Sequence, residues 1–134
     1  MLEEIDILVL TSISEGMPLV ILEGGAAGIP TVATNVGACR ELIMGRGDEE
    51  PALGPGGVIT PLSNPRATAE ACVRLLTEPD WYRQCAETIR TRVERYYDKL
   101  DQDRRYRGLY EECRSLPTRS IEAPASAPPA RAAE

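Results

Sequence analysis

The segment from residue 5 to residue 34 constrains the fold most, because its pattern changes from strand to helix and back to strand. Residues 5–11 are rich in branched apolar residues without clean alternation, which is typical of a strand buried on both faces of a parallel sheet. Residues 18–28 predict a helix with Pro18 at its first position and Gly28 at its stop. Residues 31–34 predict a second strand. This order is the βαβ unit, which indicates an α/β fold with a parallel sheet.

The rest of the chain adds one more strand and then becomes helical. A short helix is predicted over residues 38–44, a loop rich in Gly, Pro and acidic residues over 45–57, and a third strand over 58–60. Two helices follow, separated by a break at Glu78-Pro79. Their predicted core-facing residues are Ala69, Cys72, Val73 and Leu76 in the first, then Trp81, Cys85, Ile89, Val93 and Tyr96 in the second. A narrow stripe of Tyr106, Leu109, Tyr110 and Cys113 predicts a last helix.

These elements predict one incomplete domain and a tail. Three strands make a thin sheet, since doubly wound nucleotide-binding domains usually carry about six. Residues 1–114 are therefore expected to form the later half of a doubly wound, Rossmann-like domain whose upstream region is missing. Thirteen of the twenty residues from 115 to 134 are Ala, Pro or Ser. Such a segment cannot bury enough surface to offset its ordering entropy, so it is predicted to be a disordered tail.

Charge and cysteine content argue against several classes of protein. The net charge is −6, and the basic residues lie beside acidic ones, so no nucleic-acid surface is expected. The apolar runs are far shorter than the roughly 20 residues that span a bilayer, and the N-terminus lacks the basic start of a signal peptide, so a cytoplasmic location is predicted. The four cysteines stand apart and the chain has no His, which predicts reduced, mostly buried thiols and no metal site.

The loop between the first predicted strand and helix is where an open α/β sheet binds ligands. A helix start offers unpaired N–H groups and the positive end of the helix dipole, so it attracts anions. Gly16 lacks a side chain that would keep a phosphate away. Pro18 has no N–H, so Leu19 and Val20 are the expected donors.

Glu23 lies on a helix that is otherwise apolar or small, so it is predicted to be buried and to need a partner. Helical side chains lean toward the N-terminus, so Glu23 can reach a ligand held at the helix start and accept hydrogen bonds from a diol such as ribose. Glu15, on the loop, would meet the other end of that ligand. The alternative is that Glu23 is solvated or ion-paired, and that Glu15 only complements the dipole, worth ~0.3–1 kcal/mol.

Taken together, residues 12–37 resemble the donor-site signature of the retaining glycosyltransferase family of GT-B fold. The matching features are the E-x7-E pair of Glu15 and Glu23, the Ala-Ala-Gly-Ile-Pro helix stop, the Val-Gly turn and a following Glu41. The later pattern is also similar, so the resemblance runs from about residue 3 to residue 113. Residues 18–23 and 36–43 are most similar to exopolysaccharide glycosyltransferases of the Pel type.

This resemblance implies a glycosyl transfer from a nucleotide-diphosphate sugar, UDP-glucose in the Pel type, without a metal or other cofactor. It implies that Glu15 is catalytic and approaches the sugar or its phosphate, and that Glu23 holds the ribose hydroxyls. The residues beside the sugar and diphosphate would be Gly16, Met17, Pro18, Leu19 and Val20. The helix N-terminus would stabilise the departing diphosphate.

The resemblance also implies partners that the chain lacks. The family's acceptor-binding N-terminal domain and the basic residues that grip the diphosphate precede this motif, so the chain alone is expected to be inactive. The full-length protein would act in a membrane-associated polysaccharide synthesis complex. The last helix resembles one that crosses back onto the N-terminal domain, so its stripe of Tyr106, Leu109 and Tyr110 is expected to be exposed.

Several alternative interpretations of these residues and of the function stay open. Gly24 and Gly25 cost roughly 2 kcal/mol of helix propensity relative to two alanines, and close packing could compensate for this loss of stability. Glu41 would lie near the donor or pair locally. The alternative functions are a stand-alone nucleotide-sugar binding module and a fragment of another enzyme on this fold, such as a nucleotide-sugar epimerase. An epimerase would be expected to carry acid–base histidines or carboxylates, and the chain has no His.

Overall fold

In the computed structural model, which describes residues 4–115, a parallel sheet is flanked by helices. The strands are β1 (Leu8–Leu10), β2 (Thr31–Thr34) and β3 (Gly57–Thr60), and they pair in the order β1-β2-β3. The helices are α1 (Leu19–Ala26), α2 (Cys39–Met44), α3 (Pro65–Thr77), α4 (Pro79–Tyr96) and α5 (Lys99–Ser115). The predicted α/β fold is confirmed. Ser115 ends α5, and the rest of the predicted tail lies outside the described residues.

β2 is the central strand and is buried at all of its positions. Because side chains alternate along a strand, Ala33 and Val32 enter cores on opposite faces of the sheet. The Ala33 core is shared with α1 and α2, and the Val32 core with α3. α4 contributes Ile89 to the first core and Cys85 to the second, so this helix closes both.

The core-facing side of α3 differs from the prediction. Ala71 and Leu75 are buried, whereas Val73 and Leu76 are 57% and 64% exposed and Ala69 is also exposed. α3 packs against β2 and β3, and this contact sets its rotation. Leu75 and Leu76 are adjacent, so the apolar residues of α3 fit two helical stripes, one through each leucine. The helical period alone does not determine which of these stripes is buried.

The predicted stripe of α4 is confirmed, with two polar additions. Cys85 and Ile89 are buried, and Trp81, Val93 and Tyr96 are half-buried. Thr88 and Arg92 are also buried on this helix, and the apolar pattern does not indicate either of them. On α5 no residue is buried, so the exposed stripe expected for Tyr106, Leu109 and Tyr110 is confirmed.

Arg92 is the charged residue that organises the loop after α2. Its Nε donates to Oε1 of Glu49 (2.6 Å), and its Nη2 donates to Oε2 (3.1 Å). The same guanidinium donates to the carbonyl oxygens of Ile43 and Gly54. Both side chains are almost wholly buried, and a buried charge is tolerated only when it is paired and hydrogen-bonded in this way. The ion pair therefore fastens α2 and the loop over residues 45–57 to α4.

α1 approaches α4 closely because Gly25 lies between them. A Cβ at Gly25 would lie 2.7 Å from Cγ2 of Val93 and 3.0 Å from Cγ1 of Ile89. We expect Gly25→Ala to lower the free energy of unfolding by up to about 2 kcal/mol, since overpacking costs about 1–3 kcal/mol and the gain in helix propensity is about 1 kcal/mol. Val93 is β-branched and cannot easily rotate away. Urea denaturation followed by circular dichroism measures the change.

Gly24→Ala is the matched control for that experiment. A Cβ at Gly24 would come no closer than 3.2 Å to another atom, and that atom is Cδ2 at the end of the flexible Leu8 side chain. We expect its free energy of unfolding to stay the same or to rise by up to about 1 kcal/mol. A Gly25→Ala variant as stable as Gly24→Ala would show that the contact with α4 does not require glycine.

All four cysteines are free thiols. Cys39 and Cys85 are buried, Cys72 is half-buried and Cys113 is exposed, so the predicted burial holds for the first two. Burial raises the pKa of Cys85 to about 11, so this thiol stays protonated at neutral pH. Between residues 4 and 115 no cluster of His, Cys, Asp or Glu is arranged to hold a metal ion. No helix in that range combines the length and apolar character needed to cross a membrane.

Candidate functional site

The loop over residues 11–18 leaves the carboxyl end of β1 and enters α1. Two hydrogen bonds hold it against the end of β2 and the turn that follows. The Oγ1 of Thr34 donates to the carbonyl oxygen of Ser12 (2.5 Å), and the backbone N–H of Ala38 donates to the carbonyl oxygen of Gly16 (2.9 Å). Both bonds are accepted by carbonyl groups of the loop, so neither bond involves an N–H group of the loop.

Gly37 allows the turn after β2 to pack directly on this loop. Its φ is +49°, in the region that favours glycine. A Cβ at this position would overlap the carbonyl oxygen of Glu15 and lie 2.7 Å from that of Gly16. The Val-Gly turn noted in the sequence therefore has a structural reason, because backbone meets backbone at this point.

The N-terminus of α1 receives no side-chain cap from the residues that the structure describes. Pro18 is the N-cap residue with an extended ψ of 108°, so the prediction that it is the first helical residue was wrong by one position. No side chain caps the helix, and its first turn carries no acidic residue. Among residues 4–115, the N–H groups of Glu15, Gly16, Leu19 and Val20 donate no backbone hydrogen bond outside the regular elements. The positive end of the helix dipole therefore faces solvent.

The predicted site residues surround this helix start. Gly16 is exposed, and Met17, Leu19 and Val20 are 50%, 66% and 38% exposed, whereas Pro18 is buried. Glu15 is half-buried, and its charge lies near enough to Cys39 to add to the effect of burial, which raises the pKa of that thiol.

Glu23 corrects the prediction from the sequence. It was expected to be buried because its neighbours on α1 are apolar or small, but its side chain is exposed. Only Ile21, Gly24 and Gly25 of this helix are buried, so the opposite side of α1 is covered by nothing in the described part of the chain. The apolar character of a helix therefore does not by itself show which of its residues are buried.

A groove of about 240 Å³ runs from this helix start to the junction of α4 and α5. Met17, Leu19 and Leu22 line one side, and Glu41 and Tyr97 are among the residues that line the other. The hydroxyl of Tyr97 donates to Oε1 of Glu41 (3.0 Å). The local pairing considered for Glu41 therefore exists, and its carboxylate also borders the groove. Tyr97 was not a predicted site residue, and no local pattern points to its partner 56 residues away.

This arrangement suits an anion that carries hydroxyl groups. The unpaired N–H groups at the start of α1 can donate to phosphate oxygens, and carboxylates on either side can accept from hydroxyls. No Lys or Arg lies between residue 11 and the end of α1, so within this segment the backbone supplies the positive potential.

Comparisons with known proteins give a family match. The sequence profile of a family described as "Glycosyl transferases group 1" matches residues 1–78. The D-inositol 3-phosphate glycosyltransferase of Corynebacterium urealyticum is 32% identical over 128 residues, which cover 96% of this chain and 27% of that protein.

A solved structure shows a similar fold. Sucrose-phosphate synthase from Thermosynechococcus elongatus superimposes with a TM-score of 0.64 and 27% sequence identity, over 80% of this chain and 26% of that one. The chain therefore spans about a quarter of the length of each of these two relatives.

Proposed function

This chain belongs to the group 1 glycosyltransferase family, of GT-B type, and from that premise we propose that it is the donor-binding part of a retaining enzyme. The substrate in this proposal is a nucleotide-diphosphate sugar. The observation that carries the proposal is the free N-terminus of α1, with exposed N–H groups and no acidic residue in its first turn. The acceptor site and the rest of the donor site belong to the remaining three quarters of such an enzyme, so the chain alone is inactive.

The proposed roles follow the order of residues along the loop and helix. The diphosphate accepts hydrogen bonds from the N–H groups of Leu19 and Val20, which lie at the positive end of α1. Charge that develops on the leaving diphosphate is stabilised by these preorganised dipoles. Glu15 approaches the transferred sugar, and the exposed Glu23 accepts hydrogen bonds from the ribose diol. Gly16 leaves space for the phosphate, because a Cβ there would meet no atom within 4 Å.

We propose UDP-glucose as the donor and exopolysaccharide synthesis as the setting. Both rest on the resemblance of residues 18–23 and 36–43 to glycosyltransferases of the Pel type. Membership of a glycosyltransferase family favours sugar transfer over the epimerase alternative.

Titration of the chain with UDP-glucose, followed by amide resonances in NMR, tests the proposal and detects weak binding. We expect the resonances of Gly16, Leu19 and Val20 to shift. We expect Glu23→Ala to weaken binding by roughly tenfold or more, because charge-assisted hydrogen bonds to the ribose are lost. Glu70→Ala is the matched control, since Glu70 is an exposed helical glutamate on α3 that pairs with Arg66. Its affinity should equal that of the unmodified chain.

Two results would contradict the proposal. A folded chain that shows no shift at α1 with UDP-glucose has no donor site. Shifts that occur elsewhere and are equal in Glu23→Ala and Glu70→Ala would place binding away from α1. An assay for UDP release on the same samples separates a binding module from an enzyme, because the chain alone is expected to release none.

A further inference from the structure

Tyr97 joins three parts of the structure at the junction of α4 and α5. It is the C-cap residue of α4, and its N–H donates to the carbonyl oxygen of Val93 (2.9 Å). Its ring packs against the core that contains residues of α1, α2 and β2. Its hydroxyl donates to Glu41 near the start of α2. The packing of these elements therefore fixes the side chain of Tyr97 and the position of its hydroxyl.

The hydrogen bond has a fixed direction. Burial raises the pKa of Tyr97 above its ordinary range, and the hydrogen bond to Glu41 acts in the same sense. The hydroxyl is therefore protonated at neutral pH and donates. It binds one carboxylate oxygen, Oε1, and no hydrogen bond to Oε2 of Glu41 is present within residues 4–115. One oxygen is thus fixed while the other is available for a second donor.

Glu41 borders the same groove as the proposed sugar and phosphate residues. Met17 and Leu19 line this groove together with Glu41. Arg46 and Arg105 also line it, and Arg46 is paired with Asp48 and lies over the Tyr96 ring. Among the described residues, the Tyr97 hydroxyl is the hydrogen-bond donor to the Glu41 carboxylate, and a neutral hydroxyl orients the carboxylate without neutralising its charge.

We propose that Tyr97 is a positioning residue for recognition of the sugar: it holds Glu41 so that the second carboxylate oxygen accepts hydrogen bonds from hydroxyls of the transferred sugar. This inference rests on the proposed function, because it places the sugar of the donor in the groove. Hydroxyl groups are good donors to a carboxylate, and an oriented acceptor binds more tightly than one that must be ordered on binding. The nucleotide part of the donor does not contact Glu41 in this arrangement.

The test compares two ligands and two tyrosines. We expect Tyr97→Phe, which keeps the ring, to weaken binding of UDP-glucose about three- to tenfold and to leave the affinity for UDP unchanged. Tyr82→Phe is the matched control, because Tyr82 is also half-buried on α4 and donates its hydroxyl to the carbonyl oxygen of Asp6 (3.0 Å), away from the groove. It should leave both affinities unchanged. NMR titration of the chain measures all four affinities.

A double-mutant cycle with Glu41→Ala shows whether Tyr97 acts through Glu41. In the Glu41→Ala background, Tyr97→Phe should have no further effect on binding of UDP-glucose. Equal weakening of UDP and UDP-glucose by Tyr97→Phe would overturn the inference and leave Tyr97 a structural role only. An unchanged preference of Tyr97→Phe for UDP-glucose over UDP would also overturn the inference. If the unmodified chain binds neither ligand, the proposed function fails, and this inference fails with it.

Discussion

Replacing Arg92 with methionine is expected to lower the free energy of unfolding by about 3–5 kcal/mol, the range measured when one partner of a buried ion pair is removed. The substitution keeps much of the side-chain volume but leaves Glu49 buried without its cation. It also removes the donors to the carbonyl oxygens of Ile43 and Gly54. The loop over residues 45–57 should then separate from α4. Urea denaturation measures the change, with Arg83→Met on the same helix as the control.

Arg83 is 73% exposed and pairs with Asp80, so its loss should change the free energy of unfolding by less than about 1 kcal/mol. Similar losses of stability in the two variants would contradict a special role for the buried pair.

The pH dependence of stability gives a second measure of the buried pair. Burial alone would raise the pKa of Glu49, but the hydrogen bonds and charge of Arg92 bring it below its ordinary value of 4.5. The stabilisation is therefore present above about pH 4.5 and is lost as the pH falls through the lowered pKa, so the two chains should converge in stability in acid.

Gly37→Ala is expected to lower the free energy of unfolding by about 2–5 kcal/mol and to abolish the response to UDP-glucose. A left-handed φ costs a residue with a Cβ about 1–2 kcal/mol, and overpacking against rigid backbone adds about 1–3 kcal/mol. The Cβ would overlap the carbonyl oxygen of Glu15, so the loop before α1 must move and the bond between Ala38 and Gly16 must break. The loop carries the proposed contacts to sugar and phosphate.

Gly54→Ala separates these two effects. Gly54 has a φ of +89°, but a Cβ there would meet no atom within 4 Å. We expect it to lose only the backbone part, about 1–2 kcal/mol, and to keep its response to UDP-glucose. Loss of ligand binding in both variants, with the same change in stability, would indicate a general effect of φ strain, not displacement of the loop. Urea denaturation and NMR titration of both variants decide between these outcomes.

Local signals in the sequence predict the elements well. The strand over residues 31–34 is correct at both ends, because Pro30 and the turn after Thr34 mark its limits. The break between α3 and α4 is also correct, since Pro79 begins a new helix. Close packing against Val93 and Ile89 explains why Gly25, a residue of low helix propensity, occurs in α1.

Features that depend on distant parts of the chain were not predictable in this way. The rotation of α3 is set by β2 and β3, so the exposure of Val73 and Leu76 does not follow from their spacing. Arg92 looks like any charged residue of α4, and its partner Glu49 lies 43 residues away. Glu23 was predicted to be buried from its neighbours, but no described element covers its side of α1. The roles of Glu15 and Glu23 stay predictions.

The position of α4 over both cores has a consequence for the order of folding. Each strand pairs with the strand that precedes it, so the sheet can form through successive short loop closures. α4, in contrast, makes hydrogen bonds to groups 35 to 76 residues earlier in the chain. Closing these longer loops costs more entropy, and the cost is recovered only when α4 docks. We therefore expect the loop around Glu49 and the packing behind α1 to be completed only when α4 docks.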